Sequence, residues 1–141
     1  MDFKYRLEPN GEGGFIAQFP DVPDALTEGA TRDEALASAA DALEVALLGY
    51  MKDGADIPAT KAHPRRGVAV HVPAQSSAKL AFYNAFRRSG LSQSALARRI
   101  RKDEAEIRRM LDPYHATKLP ALDEALQHAL GQRFVLAVEA A

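Results

Sequence analysis

Residues 91–113 read LSQSALARRIRKDEAEIRRMLDP, and this stretch decides the architecture of the second half of the chain. A serine or aspartate that precedes a helix can accept a hydrogen bond from a free amide of the first turn. Ser92 therefore predicts a helix over Gln93–Ile100. Asp103 predicts a second helix, which Pro113 ends. The stretch thus indicates two short helices separated by about three residues.

Apolar spacing gives each of these helices one inner face, and the expected inner residues are Leu96, Ala97, Ile100, Ile107, Met110 and Leu111. Two short helices joined by a tight turn, in a small module with a basic surface, are typical of a DNA-binding helix-turn-helix. Many such motifs carry glycine in the turn, where this chain has Arg101. A helix pair in a protein-interaction module is the alternative interpretation.

A recognition helix inserts its N-terminal end into the major groove, where arginine reads guanine and a carboxylate accepts from cytosine. We expect Arg108 to read guanine and Glu104 or Glu106 to accept from cytosine. Other basic residues would bind phosphates, which orients a protein without reading the sequence. They are Arg98, Arg99, Arg101 and Lys102. The complete predicted DNA-binding set is Ser92, Gln93, Arg98, Arg99, Arg101, Lys102, Asp103, Glu104, Glu106, Arg108, Arg109 and Lys118.

Charge is divided unevenly along the 141 residues, whose net charge is −1. Residues 1–73 hold 7 Lys and Arg against 12 Asp and Glu, a net charge of −5. Residues 74–141 hold 11 against 7, a net charge of +4. A basic half attracts nucleic acid through the phosphates, and an acidic half repels it. We therefore predict two domains, 1–73 and 77–141, with the boundary in the polar segment Pro73–Ser77.

The first half follows the pattern of a small α/β layer. Phe3, Tyr5 and Leu7 alternate with polar residues, which predicts a strand with one buried face. Asn10–Gly14 is rich in glycine and predicts a hairpin turn. Further predicted elements are a strand over Phe15–Phe19, a turn over Asp21–Asp24, a short strand over Ala25–Gly29, a loop over Ala55–Gly67 and a central strand over Val68–Val72.

One long helix is expected to cover this sheet. Thr31 with Glu34 three residues later forms a capping box, and Gly54 is placed to end the helix. The stripe that should pack on the sheet consists of Leu36, Ala40, Leu43, Leu47 and Tyr50. Val45 and Leu48 fall outside this stripe and are candidates for a second contact, although single exposed apolar residues are also ordinary.

Two further helices are predicted in the second half, over Ala78–Ser89 and from Pro120 to Gly131. The apolar segment Phe134–Val138 is a candidate last strand, which would need a partner. Helix-turn-helix proteins usually bind paired half-sites as dimers. We therefore expect a homodimer or a higher homo-oligomer, sealed by pairing of this last segment.

The whole chain resembles the HicB family of antitoxins, in the branch with a C-terminal helix-turn-helix. The matching segments are Gly14–Ala17, Phe19–Pro23, Thr27–Leu36, Leu91–Ile100, Glu106–Pro113 and Ala116–Leu119. Together they span essentially the full length. The family usually has glycine, and often cysteine, after the second proline of the Pro-x-x-Pro turn, where this chain has Asp24 and Ala25.

The resemblance implies an α+β protein: a partial ribonuclease-H-like N-terminal α/β domain and an all-α helix-turn-helix domain with a possible terminal strand. It implies that the first domain neutralises a HicA-type toxin, a small ribonuclease that acts on messenger RNA. The second domain would bind operator DNA and repress the operon. An acidic domain suits a basic, RNA-binding partner. The expected toxin contacts are Phe15, Asp21, Asp24, Glu28, Val45 and Leu48.

Neither catalysis nor a metal or other cofactor is expected. A two-metal nuclease needs converging carboxylates, whereas the first strand carries Lys4 and Arg6. The four histidines lack the spacing of metal ligands; they are His63, His71, His115 and His128. The chain has no cysteine, which excludes a thiol nucleophile and a cysteine zinc site.

No apolar run approaches the roughly 18–20 residues of a membrane span, and the first residues lack an apolar signal region. We therefore expect a cytoplasmic protein with no membrane partner. Two other functions fit the same pattern. The chain could be a stand-alone regulator whose first domain binds a ligand or a protein, or it could be a protein-interaction adaptor without DNA binding.

Overall fold

The computed structural model describes residues 1–61 and 68–140, and the chain divides into two units, residues 1–77 and 78–141. Within the described residues it forms five strands and five helices, an α+β architecture. The elements are β1 (Asp2–Lys4), β2 (Arg6–Pro9), β3 (Phe15–Phe19), β4 (Val22–Gly29), α1 (Arg32–Lys52), β5 (Ala69–His71), α2 (Ala74–Ser89), α3 (Gln93–Ile100), α4 (Glu104–Leu111) and α5 (Leu119–Leu130). The N-terminal part of the predicted loop Ala55–Gly67 carries no helix or strand, and residues 62–67 lie outside the described range.

The strands of the first unit form two sheets rather than one. β2, β3 and β4 make a three-stranded antiparallel sheet, and β1 pairs with β5 in a separate two-stranded sheet. The first predicted strand is interrupted at Tyr5, whose amide donates to the carbonyl of Val68 at 3.3 Å. The prediction of a central strand over Val68–Val72 is therefore wrong, because among the described strands β5 pairs with β1 alone. Its apolar composition reflects partial burial of Val70 and full burial of Val72.

The predicted hairpin between β2 and β3 is confirmed. The side chain of Asn10 accepts hydrogen bonds from the amides of Glu12 and Gly14, at 2.8 and 3.0 Å. Gly11 and Gly13 adopt φ angles of 82° and 89°, which a residue without Cβ reaches at little cost. The turn is thus held by one asparagine and permitted by two glycines.

The turn predicted over Asp21–Asp24 is shorter than expected, because β4 already begins at Val22. Gln18 pairs with Leu26, whereas the neighbouring Phe19 pairs with Val22, so the intervening residues bulge out of the ladder. This segment contains a proline, which has no amide hydrogen to donate to a neighbouring strand. The bulge accommodates the proline without ending the strand.

Helix α1 begins at the predicted cap, Thr31, but the return bond of the capping box reaches the amide one residue before the cap. The hydroxyl of Thr31 accepts from the amide of Glu34 at 3.1 Å, and the Glu34 carboxylate accepts from the amide of Ala30 at 3.0 Å. Gly54, just beyond the last turn, has a φ of 68°. Both ends of the predicted helix are confirmed to within about one residue.

The buried stripe of α1 differs from the predicted one. It consists of Ala35, Ala39, Leu43, Leu47 and Met51, whereas Leu36, Ala40 and Tyr50 are only half-buried. At the N-terminal end of α1, the buried positions are Ala35 and Ala39 instead of Leu36 and Ala40, one residue earlier than predicted. The reason is that α1 lies very close to β4 there. A Cβ on Gly29 would lie 2.4 Å from the amide nitrogen of Ala35. Only small side chains fit such an approach.

The second unit packs its helices around one apolar cluster, whose buried members are Phe82, Ala85, Leu96, Ala97, Ile100, Ile107, Met110, Leu122, Ala125, Leu126 and Ala129. The inner faces predicted for α3 and α4 are confirmed, with Leu111 half-buried against the cluster. Pro120 lies in the first turn of α5, and Gly131 ends that helix with a φ of 64°. Helix α2 begins at Ala74, so most of the polar segment Pro73–Ser77 is its first turn rather than a linker.

The candidate last strand, Phe134–Val138, has no partner in the single chain and forms no strand there. Phe134 packs against the apolar cluster, and its amide donates to the Asp123 carboxylate at 3.2 Å. Beyond it, Val135, Leu136 and Val138 are 84, 76 and 102% exposed. The described residues of the second unit include no strand that could pair with this segment.

Among the described residues, no helix has both the length and the apolar composition that crossing a membrane requires.

We predict that Gly29→Ala destabilises the first unit by about 3 kcal/mol, because its Cβ would overlap the backbone of α1 rather than a movable side chain. Gly49→Ala is the matched control. Gly49 lies within α1, and a Cβ there would meet nothing within 4 Å beyond its own helix. We expect the control to gain about 0.5–1 kcal/mol from helix propensity. Urea unfolding followed by circular dichroism measures both, and equal effects would contradict the close contact.

Candidate functional site

Helix α3 begins at a serine cap, as expected. The hydroxyl of Ser92 accepts from the amide of Ala95 at 3.0 Å. Leu96, Ala97 and Ile100 face the apolar cluster. This burial leaves Arg98 and Arg99 exposed near the C-terminal end of the helix.

The turn between α3 and α4 depends on Arg101. This residue has φ 55° and ψ 43°, the left-handed conformation that usually calls for glycine. The amide of Lys102 donates to the carbonyl of Ala97 at 3.0 Å, which satisfies a free carbonyl at the end of α3. Arg101 therefore adopts the backbone geometry that glycine supplies in many such turns.

Helix α4 is capped and tied to α3 by carboxylates. The Asp103 side chain accepts from the amide of Glu106 at 2.8 Å. The Ser94 hydroxyl of α3 donates to Glu104 at 2.7 Å. Two of the predicted DNA-contacting acids thus already hold the two helices in place, and negative charge at this end also suits the helix dipole.

Five basic side chains lie exposed on the α3–α4 segment, and we call them the basic set: Arg98, Arg101, Lys102, Arg108 and Arg109. None of them has a side-chain hydrogen bond or ion pair with the described part of the chain. Their charges are therefore available to a ligand. Burial of Ile107 and Met110 in the cluster keeps the last two on the outer side of α4.

The remaining predicted DNA contacts are placed differently. Arg99 is exposed but donates through Nη1 to the carbonyl of Ala129 at 2.9 Å, so its guanidinium is partly committed to the end of α5. Gln93 is exposed at the first residue of α3, Lys118 is exposed at the N-cap of α5, and Glu106 is half-buried. The structure thus places most of the predicted DNA contacts on neighbouring elements, but some of their side chains are already bonded within the protein and others are not.

The predicted toxin contacts do not share one surface of the first unit. Phe15 lies on the side of the sheet that faces α1, and the guanidinium of Arg32 lies 4.8 Å from the centre of its ring. Glu28 lies on the opposite side of the sheet and accepts from the side chain of Asn10 at 3.3 Å. Sequence position alone did not separate these two faces.

The two aspartates of the predicted toxin set are hydrogen-bonded within the unit. The Asp24 carboxylate accepts from the Tyr50 hydroxyl at 2.5 Å, which raises the pKa of Tyr50. Asp21 accepts from the amide of Lys61 at 3.2 Å. Each carboxylate keeps exposed or half-exposed surface, so these bonds hold the loop shape without burying the charge.

The outer side of α1 carries a second apolar feature. Asp41, Val45, Leu48 and Lys52 follow one another at helical spacing, and we call them the outer α1 stripe. Val45 is 69% exposed and Leu48 is half-buried. The two apolar residues thus lie away from the face that packs on the sheet.

The histidines form no metal centre in the described part of the chain, where no group of three or more potential ligands occurs. His71 lies 2.5 Å from the Asp2 carboxylate across the β1–β5 ladder. His115 pairs with the hydroxyl of Thr117 at 3.0 Å. His63 lies outside the described residues.

Comparison with known proteins identifies the family. Residues 2–81 match the model of the HicB-like antitoxins of bacterial toxin–antitoxin systems. Antitoxin HicB of Escherichia coli strain K12 is 38% identical over 136 residues, which cover 96% of this chain and 98% of that protein. The chain belongs to the HicB family of antitoxins.

Two further HicB antitoxins are also similar to this chain over nearly its whole length. Antitoxin HicB 1 of Photorhabdus laumondii subsp. laumondii is 38% identical over 139 residues, covering 99% of this chain and 88% of that protein. Antitoxin HicB of Pseudomonas fluorescens strain Pf0-1 is 37% identical, covering 99% and 96%. The HicB family model ends within α2, whereas these relatives extend over α3 and α4. The chain is thus an antitoxin of a toxin–antitoxin system, the class of protein for which these relatives are named.

We predict that Arg101→Gly is more stable than Arg101→Ala by about 1 kcal/mol, because a Cβ is strained in the left-handed region. Both variants remove the same guanidinium, so the difference between their stabilities reports the backbone strain alone. The usual order at helical positions is the reverse, with alanine ahead of glycine. Thermal unfolding of the two variants measures this, and a more stable alanine variant would contradict the turn geometry.

Proposed function

We propose that this antitoxin neutralises a HicA-type, mRNA-cleaving toxin by direct binding and represses its own operon by binding operator DNA. The DNA-binding half rests mainly on the basic set, five exposed cations without partners among the described residues on two short capped helices. The toxin-binding half rests on family membership and on the acidic first half, with a net charge of −5. Both activities belong in the cytoplasm, where the messenger RNA and the operon are found.

In this proposal α3 and α4 act as a helix-turn-helix, with α4 in the major groove. Arg98, Arg101 and Lys102 surround the end of α3 and the turn, where they bind phosphates. Arg108 and Arg109 meet the duplex from α4, and Arg108 is the candidate for guanine. Arg99 contributes less, because it already binds the end of α5.

We further propose that the chain binds DNA as a homodimer joined through its last residues. Val135, Leu136 and Val138 expose large apolar side chains next to backbone groups that are in no strand. Pairing with the same segment of a second copy would satisfy those groups and bury the side chains. Two copies would then read half-sites about 34 Å apart.

For the toxin we propose the outer α1 stripe as the main contact. Its apolar centre, Val45 and Leu48, is flanked by Asp41 and Lys52. Apolar residues within a charged rim are typical of protein interfaces. The acidic first unit would also attract a basic RNA-binding toxin over long range. Asp24 and Glu28, which lie elsewhere on the unit, would add to this attraction rather than to the contact.

The DNA-binding half is tested by a mobility-shift assay with the full chain and the DNA upstream of its own operon. We expect binding that weakens steeply as salt rises, and Arg108→Ala should reduce the affinity by about 1–3 kcal/mol. Arg88→Ala is the matched control, because it removes an exposed arginine of α2 outside the basic set. Equal affinity for scrambled DNA of the same length would contradict a repressor.

The toxin-binding half is tested with the small toxin encoded beside the antitoxin, by measuring its cleavage of messenger RNA. We expect the full chain to block cleavage and Val45→Asp to weaken the block about tenfold or more, because it places a carboxylate in the apolar centre. Leu26→Asp is the control, since Leu26 is 60% exposed on the sheet face away from α1.

Two results would change this interpretation. An equal effect of both aspartate variants would place the toxin contact outside the outer α1 stripe. Failure of the unmodified chain to block the toxin would instead favour a stand-alone regulator, whose first unit binds another ligand.

A further inference from the structure

Lys79 of α2 is a buried lysine, with 2% of its surface exposed. Its ammonium donates to the carbonyl of Arg109 at 3.1 Å, to the hydroxyl of Thr117 at 2.9 Å and to the carbonyl of His115. A protonated lysine has three N–H groups, and here three oxygens accept them. All three N–H groups of the ammonium therefore donate to backbone carbonyls and a hydroxyl of the second unit.

These partners place Lys79 at the C-terminal end of α4. The carbonyl of Arg109 belongs to the last turn of that helix, where its backbone donor is the amide of the C-cap residue Asp112 at 3.3 Å and a second lone pair remains for Lys79. A positive charge at this end also interacts favourably with the helix dipole. The hydroxyl of Thr117 lies 3.3 Å from the same carbonyl, so the loop after α4 is held at the same point.

The charge of this group is only partly compensated. Burial lowers the pKa of Lys79 to about 8, and the charge of Asp112 opposes this shift. No carboxylate is among its three hydrogen-bond partners. Burying an ammonium without a direct counter-ion costs free energy, and an apolar residue would avoid that cost. The ammonium instead fixes the positions of its three acceptors relative to one another, because its three N–H groups have a fixed arrangement.

We propose that Lys79 is the positioning residue that sets how α4 is presented to DNA, by holding the backbone of Arg109 from inside while the guanidinium of Arg109 lies exposed outside. The inference rests on the proposed DNA binding. Lys79 itself is too buried to touch a phosphate. It acts through α4, whose basic side chains meet the duplex only if the helix keeps its orientation.

The test compares Lys79→Met with the unmodified full chain. Methionine keeps an unbranched stem but removes the ammonium that joins the three acceptors. The carbonyl of Arg109 then keeps only the amide of Asp112 and the hydroxyl of Thr117, and the carbonyl of His115 keeps only the amide of Thr117. At a temperature where circular dichroism shows the variant folded, we expect affinity for the operator to fall about tenfold, with little change for unrelated DNA. Lys79→Gln, which restores two of the three donors on a shorter stem, should recover part of this loss.

The salt dependence separates positioning from phosphate contact. Arg98→Ala, the comparison variant, removes a proposed phosphate contact and should reduce the slope of log affinity against log salt by about one. Lys79→Met should leave that slope unchanged, because no phosphate contact is lost. A reduced slope would mean that Lys79 acts as a charge toward DNA, and unchanged operator affinity in the folded variant would mean that its role is structural only. Either result overturns the proposal.

Hydrogen exchange without DNA distinguishes failure of this inference from failure of the proposed function. Lys79→Met should speed exchange of the amides in the last turn of α4, while the amides of α3 keep their protection. If the unmodified chain binds no operator, the repressor proposal fails, and with it the role of Lys79 toward DNA. If it binds operator but α4 exchanges no faster in the variant, only the positioning role is refuted.

Discussion

The reversal of the chain at Arg101 is the constraint on which the second unit depends. A left-handed residue at this point ends α3 and sends the backbone into α4 after three residues. Only this reversal lets the apolar faces of both short helices enter the same cluster. Helices of eight residues are not stable alone, so their burial and their caps supply the stability that length does not. Once both inner faces are buried, the outer faces are determined, and the basic set lies there.

Features that depend on neighbours in sequence could be predicted well. The caps at Thr31, Ser92 and Asp103 bond to amides three residues away, so a short motif contains all the information needed. Features that depend on distant segments could not. The rotation of the α1 stripe follows from the close approach of Gly29, and the separate β1–β5 sheet follows from a pairing across almost 70 residues.

The candidate sites follow the same division. Exposure of Arg108 and Arg109 could be predicted, because apolar residues on the other side of the same helix had to be buried. The commitment of Arg99 to α5 could not, since its acceptor lies 30 residues further on. Lys79 was missed for a similar reason: a lysine suggests a solvent-exposed position, and only its helical spacing with the buried Phe82 hinted otherwise.

The pairing of β1 with β5 has a consequence for the order in which the two units fold during synthesis. The smaller sheet can close only after His71 has been synthesised, because Asp2 pairs with it. Ribosomes add about 5–20 residues per second, so the remaining half of the chain takes several seconds more. During translation, the unit that we propose to restrain the toxin can thus mature before the second unit is complete.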